Sequence, residues 1–322
     1  MGRRHPLVRV LALLSAVALL ALAVAGCGGD DGDDDPGALL REAAEKRFES
    51  ADVELRADAD VPGFPILGSR LTLTGSGPIA SNGRGSLPTL DWDVSLRAGG
   101  QSFPASLMVV DDRAYVEFQG LAYEADPKLI GRLGIGGVDE DGDGAGRETM
   151  SLKALGIDPA RWLTDLEVED GGDVGGDSTR LITGQVDKRA VLGDLLAAAE
   201  SKDVQGRIED SAGKDAGMLP DLSRESLDQV VDAIDEARVE VNVDDEGYAR
   251  RVYAKLRFTV PESVKGTAIE NGTIETELVL EELGVDVDPR PPADPRPLSE
   301  LLDFVGVIFG IDEPSDLWRT PR

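Results

Sequence analysis

The chain has 322 residues, 41% of them hydrophobic and 4% aromatic, with 62 Asp and Glu against 33 Lys and Arg and a net charge of −29. So acidic a protein offers no basic groove to phosphates and repels nucleic acid and anionic headgroups alike. The single histidine and single cysteine, His5 and Cys27, lie at the N-terminus, which leaves the body of the chain without Ser-His-Asp or Cys-His catalysis, a zinc site on those ligands, or a disulfide.

Arg3, Arg4 and Arg9 make a basic start, and Val10 to Ala25 follow without a charge. That stretch is shorter than the roughly 20 residues a spanning helix needs and ends in small residues, as a signal-peptide core does. Val24-Ala25-Gly26-Cys27 matches a lipobox. An aliphatic and two small residues fit an extended chain into a lipoprotein signal peptidase, and the Cys27 thiol accepts diacylglycerol. The alternative is an ordinary secretory signal with a cysteine at its boundary. We expect residues 1–26 to be a lipoprotein signal peptide, and a diacylglycerol and palmitate-type acyl anchor on Cys27 to hold the protein on the extracytoplasmic face of a cell membrane. Cleavage removes three basic and no acidic residues, leaving a charge of −32. Residues 27–37 end in GGDDGDDDPG, which has nothing to bury and reads as an acidic flexible tether.

Leu39 to Phe48 has helical spacing. Asp52 to Val61 then alternates, with Val53, Leu55, Ala57, Ala59 and Val61 on one face, which is the period of a strand with one wet and one dry side. Leu71 and Leu73 repeat the pattern, as do Leu90, Trp92, Val94 and Leu96, then Phe103, Ala105, Leu107 and Val109, then Ala114, Val116 and Phe118. Gly99-Gly100 and Asp111-Asp112 sit where hairpin turns belong. Leu152 to Leu163 reads as a short helical region and Thr179 to Val186 as a strand. Asp187 caps a helix over 189–200, and Ser226 with Gln229 opens another running to Ala237. Strands at Val239 to Val243 and Arg251 to Val260 flank an Asp-Asp-Glu-Gly turn, and Thr273 to Leu280 is a further strand. The pattern predicts an α+β domain over 38–285: a curved antiparallel sheet with helices on its dry face. Residues 286–322 are a Pro-rich spacer and an apolar helix, with Leu298, Leu301, Leu302, Val305, Ile308 and Phe309 at helical spacing.

Several local features carry a resemblance: the Val61-Pro-Gly-Phe-Pro65 break, the strand pair at 103–118 closing on Gly120-Leu-Ala-Tyr123, the run from Gly156-Ile-Asp-Pro159 through Trp162 to Thr183-Gly184, and the strand-turn-strand at 238–258. Together with the lipobox, the chain resembles the LppX/LprG family of lipid-carrier lipoproteins, whose LolA-like fold is a β half-barrel with helices on its concave face. The resemblance implies an acyl chain or lipoglycan held by Val53, Leu55, Leu71, Leu73, Trp92, Val94, Leu107, Val109, Val116 and Phe118. Periodicity alone leaves the alternative of a dry core, and with it a structural or interaction lipoprotein without a ligand cavity. Envelope partners are undefined and no nucleic acid is expected.

Asp139, Asp141, Asp143 and Gly144 fit the start of a calcium loop, but Met150 stands where a bidentate Glu is needed, so an acidic loop is the better reading and a weak metal site the alternative. Ser211 and Lys214 match S-x-x-K without its S-D-N and K-T-G companions. No catalytic constellation and no cofactor beyond the acyl anchor emerges, so the chain is expected not to be an enzyme. Cys27→Ala should leave the precursor uncleaved and shift it out of the wild-type membrane fraction on fractionation and gel mobility. Unchanged behaviour would exclude Cys27 as the anchor.

Overall fold

The computed structural model describes residues 35–63, 70–82, 86–126, 162–193, 231–261 and 269–309. The lipobox, the acidic loop at 139–146 and residues 211–214 fall outside them. The described strands are β1 (Ser50–Asp60), β2 (Arg70–Ala80), β3 (Thr89–Ala98), β4 (Gln101–Val110), β5 (Arg113–Phe118), β6 (Leu121–Glu124), β7 (Leu163–Val174), β8 (Asp177–Val186), β9 (Ile234–Asp244), β10 (Ala249–Thr259), β11 (Asn271–Leu283) and β12 (Arg296–Pro297), with helices α1 (Pro36–Glu45) and α2 (Leu298–Phe309). They form one twelve-stranded sheet in the order β12-β6-β5-β4-β3-β2-β1-β11-β10-β9-β8-β7. β12 runs parallel to β6, and the other pairings described are antiparallel.

The chain divides into two units, the first made of Met1–Arg47, Arg56–Pro65 and Ser151–Leu280 and the second of Phe48–Leu55, Ile66–Met150 and Glu281–Arg322. In the first unit, register places Ile182, Val241 and Val252 in one row and Gly184, Val239 and Ala254 in the next. Helix α1 covers this face. Its Leu39, Leu40 and Ala43 form a buried cluster with Ile182, Val239, Val241, Val243 and Ala254, and full burial of each leucine is worth about 1.5–3 kcal/mol. Asp35 caps the helix by accepting from Ala38 N at 3.0 Å, and Pro36 supplies the fixed φ of a first turn. The helix therefore starts inside the stretch expected to be tether, because the last aspartate of the acidic run is a cap. The opposite face carries cross-strand ion pairs, among them Arg251 with Glu277 and Lys255 with Glu275.

Two elements of this unit differ from expectation. Strand β7 begins at Leu163, where a helical region was expected to end. A positive φ of 52° at Asp165 and register shifts between Thr164/Glu167 and Asp170/Gly172 bulge the strand, so its apolar residues lose their period of two. The helix expected to run to Ala237 gives way by Ile234, where β9 starts. Ile234 pairs with Phe258 and is buried, so strand pairing overrides local helical spacing. Asp187 caps as expected, its carboxylate accepting from Arg189 N and Ala190 N at 3.0 Å each, and the described helical residues after it are 188–193.

The β9–β10 turn rests on Asp244. Its Oδ1 accepts from Glu246 N at 3.0 Å and Tyr248 N at 2.8 Å, while its Oδ2 lies 3.9 Å from Arg250 Nε. Arg250 is 2% exposed and pairs through Nη2 with Asp177 at 2.8 Å. Asn242, also buried, donates to Thr179 Oγ1 at 2.9 Å and Gly171 O at 3.1 Å. Asp244→Ala removes the turn acceptors and half the counter-charge of a buried guanidinium, and should cost about 3–5 kcal/mol in urea unfolding. Asp177→Ala, at a side chain 57% exposed, should cost about 1 kcal/mol or less. Equal losses would show that the buried carboxylate holds no special place.

Candidate functional site

In the second unit three two-residue turns set the pairing. Gly99 and Gly100 have φ of 56° and 81°, Asp111 and Asp112 of 52° and 57°, and Gln119 and Gly120 of 53° and 76°. Positive φ at both central positions is the type I′ hairpin, whose twist matches that of the strands it joins. Such a loop leaves no slack, so register follows from it.

The register sorts side chains into rows that cross the strands. On one face Leu73, Leu96 and Phe103 make a row, and Gly75, Val94, Ala105, Phe118 and Leu121 make the next. Trp92, Leu107, Val116 and Tyr123 follow, then Leu90, Val109 and Ala114. The second row carries small side chains in the middle, Val94 and Ala105, between rows bearing Leu96 and Phe103 on one side and Trp92 and Leu107 on the other, a size pattern that sets a shallow trough across the strands. Its far end is closed by Trp92, whose Cε3 would lie 3.3 Å from a Cβ placed on Gly75, so a larger residue there would press the indole aside by a few tenths of an ångström. The indole Nε1 is buried with no hydrogen-bond partner among the described residues, and a buried donor left without an acceptor typically costs about 1–3 kcal/mol.

Eight of the ten residues expected to bind ligand therefore share one face: Leu71, Leu73, Trp92, Val94, Leu107, Val109, Val116 and Phe118. Val109 is buried at 8%, whereas the other seven stay half-buried. Val53 and Leu55 lie on β1, the first buried and the second half-buried. Leu121 and Tyr123 complete the face without having been singled out, because β6 is four residues long and too short to show a period. Val24, Ala25, Gly26 and Cys27, and likewise Asp139, Asp141 and Asp143, fall outside the described residues. Among the described residues no group of three or more His, Cys, Asp or Glu could hold a metal ion.

The other face is polar. An open groove of about 500 Å³ lies there, lined by Thr74, Ser76, Asp93, Ser95, Ser106 and Glu117 together with Val94, Pro104 and Ala105. Its hydroxyls and carboxylates suit water better than an alkyl chain. Beside it Arg113 donates to both oxygens of Glu124 at 2.7 Å and lies over the Tyr115 ring. Burial pushes the Tyr115 phenol up, and burial followed by the nearby Glu275 carboxylate pushes Tyr253, in the first unit, to about 12. Both move away from neutrality, so neither is a base at pH 7.

No family model matches this sequence and no curated protein matches it. Two solved mycobacterial structures are similar to it, one of them bearing a name of the family that the sequence resembles. The lipoprotein LppX of Mycobacterium tuberculosis is 14% identical, with a TM-score of 0.36 over 80% of this chain and 100% of that one. LprF from Mycobacterium bovis is 10% identical, with a TM-score of 0.32 over 82% of this chain and 100% of that one. At scores this low neither structure assigns a role to any residue here.

The two faces should answer differently to charge. Leu107→Asp places a carboxylate among Trp92, Val116 and their neighbours and should cost about 2 kcal/mol or more in thermal or urea unfolding. Ser102→Asp, exposed and opposite Arg97, should stay within about 0.5 kcal/mol of wild type. Equal effects would mean that register does not separate a dry face from a wet one.

Proposed function

We propose that the protein is a non-enzymatic lipoprotein of the cell envelope, held on the extracytoplasmic face of the membrane by an acyl anchor at Cys27, that binds and carries the acyl chains of a lipid or lipoglycan. One observation carries this reading: an apolar face spread over five strands, β2 to β6, most of whose side chains stay half-buried. Apolar surface left in water forfeits about 25 cal/mol per Å², and contiguous patches of this kind mark interaction sites. Aliphatic walls accept an alkyl chain without leaving polar groups unpaired, and the Trp92 N–H offers one donor for an ester or carboxyl oxygen near the closed end of the trough. The lipobox supports the anchor. Among the described residues no helix is long and apolar enough to cross a membrane.

A second reading, an interaction lipoprotein without a ligand cavity, is favoured by the open groove on the polar face, where the carboxylates of Asp93 and Glu117 and the hydroxyls of Ser95 and Ser106 stand beside Val94, Pro104 and Ala105. Native mass spectrometry of protein extracted from its membrane separates the two: co-purifying acyl lipid, distinct from the covalent anchor, supports the carrier. Val94 lies between Gly75 and Ala105, where the trough is lowest. Val94→Trp should therefore expel bound lipid at a cost below about 1 kcal/mol, whereas overpacking a filled core costs about 1–3 kcal/mol. A large loss of stability, with no lipid on the wild type, would favour the second reading.

A further inference from the structure

We infer that α2 roofs the trough and that Phe304 packs against the bound acyl chain at the mouth through which it enters, between Phe118 and Leu121. The inference rests on the lipid-binding reading and names the mouth of that site. The chain path supports it. Arg296 and Pro297 add as a short parallel strand beside Tyr123 and Glu124, and α2 begins at the next residue. Leu298 packs on Leu87, Val109 and Ala125, next to Leu90 and Ala114, so the helix starts on the apolar face at the row farthest from the trough. Leu301 is 7% exposed. Residues three apart share a side of a helix, so Leu298, Leu301 and Phe304 form one stripe. The Phe304 ring centroid lies 6.4 Å from that of Phe118, tilted by 54°. Ala114 to Phe118 spans about 13 Å of strand and Leu298 to Phe304 about 9 Å of helix, so α2 follows β5 from one end of the face to the other.

The fit of the helix changes along that path. Leu298 and Leu301 are packed, yet Phe304 is 45% exposed, and Leu121, which pairs with Phe118, is 40% exposed. These are two of the three large hydrophobic side chains exposed among the described residues. They stand at the same end of one row, the row that continues through Ala105 and Val94 as the trough. From Leu121 to Val94 is three strand spacings, about 14 Å, a length suited to an extended acyl chain lying across the strands. A chain placed there covers both exposed residues and fills the low positions, while the packed start of α2 holds the roof in place.

Photocrosslinking in full-length protein in its membrane tests this. Separate chains carry Phe304→p-benzoylphenylalanine, Phe103→p-benzoylphenylalanine on the wall of the trough, and Ser102→p-benzoylphenylalanine on the polar face as background. Lipid adducts at 304 and 103 but not at 102 are expected by mass spectrometry. Adducts at 103 without 304 overturn the roof and leave the lipid-binding reading standing. No adduct at either overturns both, and equal adducts at 304 and 102 mean contact with bulk membrane and overturn the mouth. Phe304→Ala should lose co-purifying lipid and Phe304→Leu keep it; full retention by Phe304→Ala also overturns the inference.

Discussion

A hairpin closed in two residues has no freedom of register, and most of what the second unit does follows from that. Gly99-Gly100, Asp111-Asp112 and Gln119-Gly120 each hold two consecutive residues at positive φ, so β3, β4, β5 and β6 meet with the apolar side chains of one face opposite one another. A slip of one residue would turn Leu107, Val116 and their neighbours to water and bring Asp93, Ser106 and Glu117 to the dry side. The aspartates at 111 and 112 tolerate the left-handed conformation better than most residues, and Asp112 adds a structural bond by accepting from Leu87 N at 2.7 Å. That bond ties the segment before β3 to the turn after β4, at the end of the face where α2 begins.

The two units finish their apolar faces differently. In the first, α1 supplies Leu39, Leu40 and Ala43 to a cluster in which Ile182 and Val243 are each 1% exposed. Short aliphatic side chains on both partners fill the space, as a core requires. In the second, the face mixes the extremes of size, with Trp92 and Phe118 beside Gly75 and Ala105, and most of its side chains stay half-buried. Each unit also lays an aromatic ring over a glycine on the neighbouring strand: Phe258 over Gly272, where a Cβ would come within 2.6 Å of Cζ, and Trp92 over Gly75. In the first unit the ring joins a buried cluster with Val61, Ile269 and Ile274. In the second it ends a trough and leaves an N–H without an acceptor among the described residues. The same device packs a core in one place and bounds a site in the other.

Strand faces and most turns were legible in the sequence because a period of two and a pair of turn residues are local properties. Leu90 through Leu96, Phe103 through Val109 and the Asp187 cap can be found without knowing what they touch. β7 was not legible, since its bulge at Asp165 takes its meaning from the partner strand β8. Nor was the early end of the helix before Ile234, where pairing with Phe258 outweighs local spacing. Leu121, Tyr123 and Phe304 went unseen for a similar reason: each belongs to an element too short or too remote in sequence to show that it meets Phe118 or Val116.

Composition and local pattern by themselves determined that the chain is acidic, that its histidine and cysteine lie only near the N-terminus, and that its strands carry one dry face. Tertiary structure alone decided which dry face is filled. Alternation records that a side chain turns away from water, but whether a helix, another side chain or a ligand meets it depends on chain segments far away in sequence. Only the fold shows α1 filling one face and α2 lying against the edge of the other with Phe304 45% exposed, because the volume left between a sheet and its cover is a property of both together.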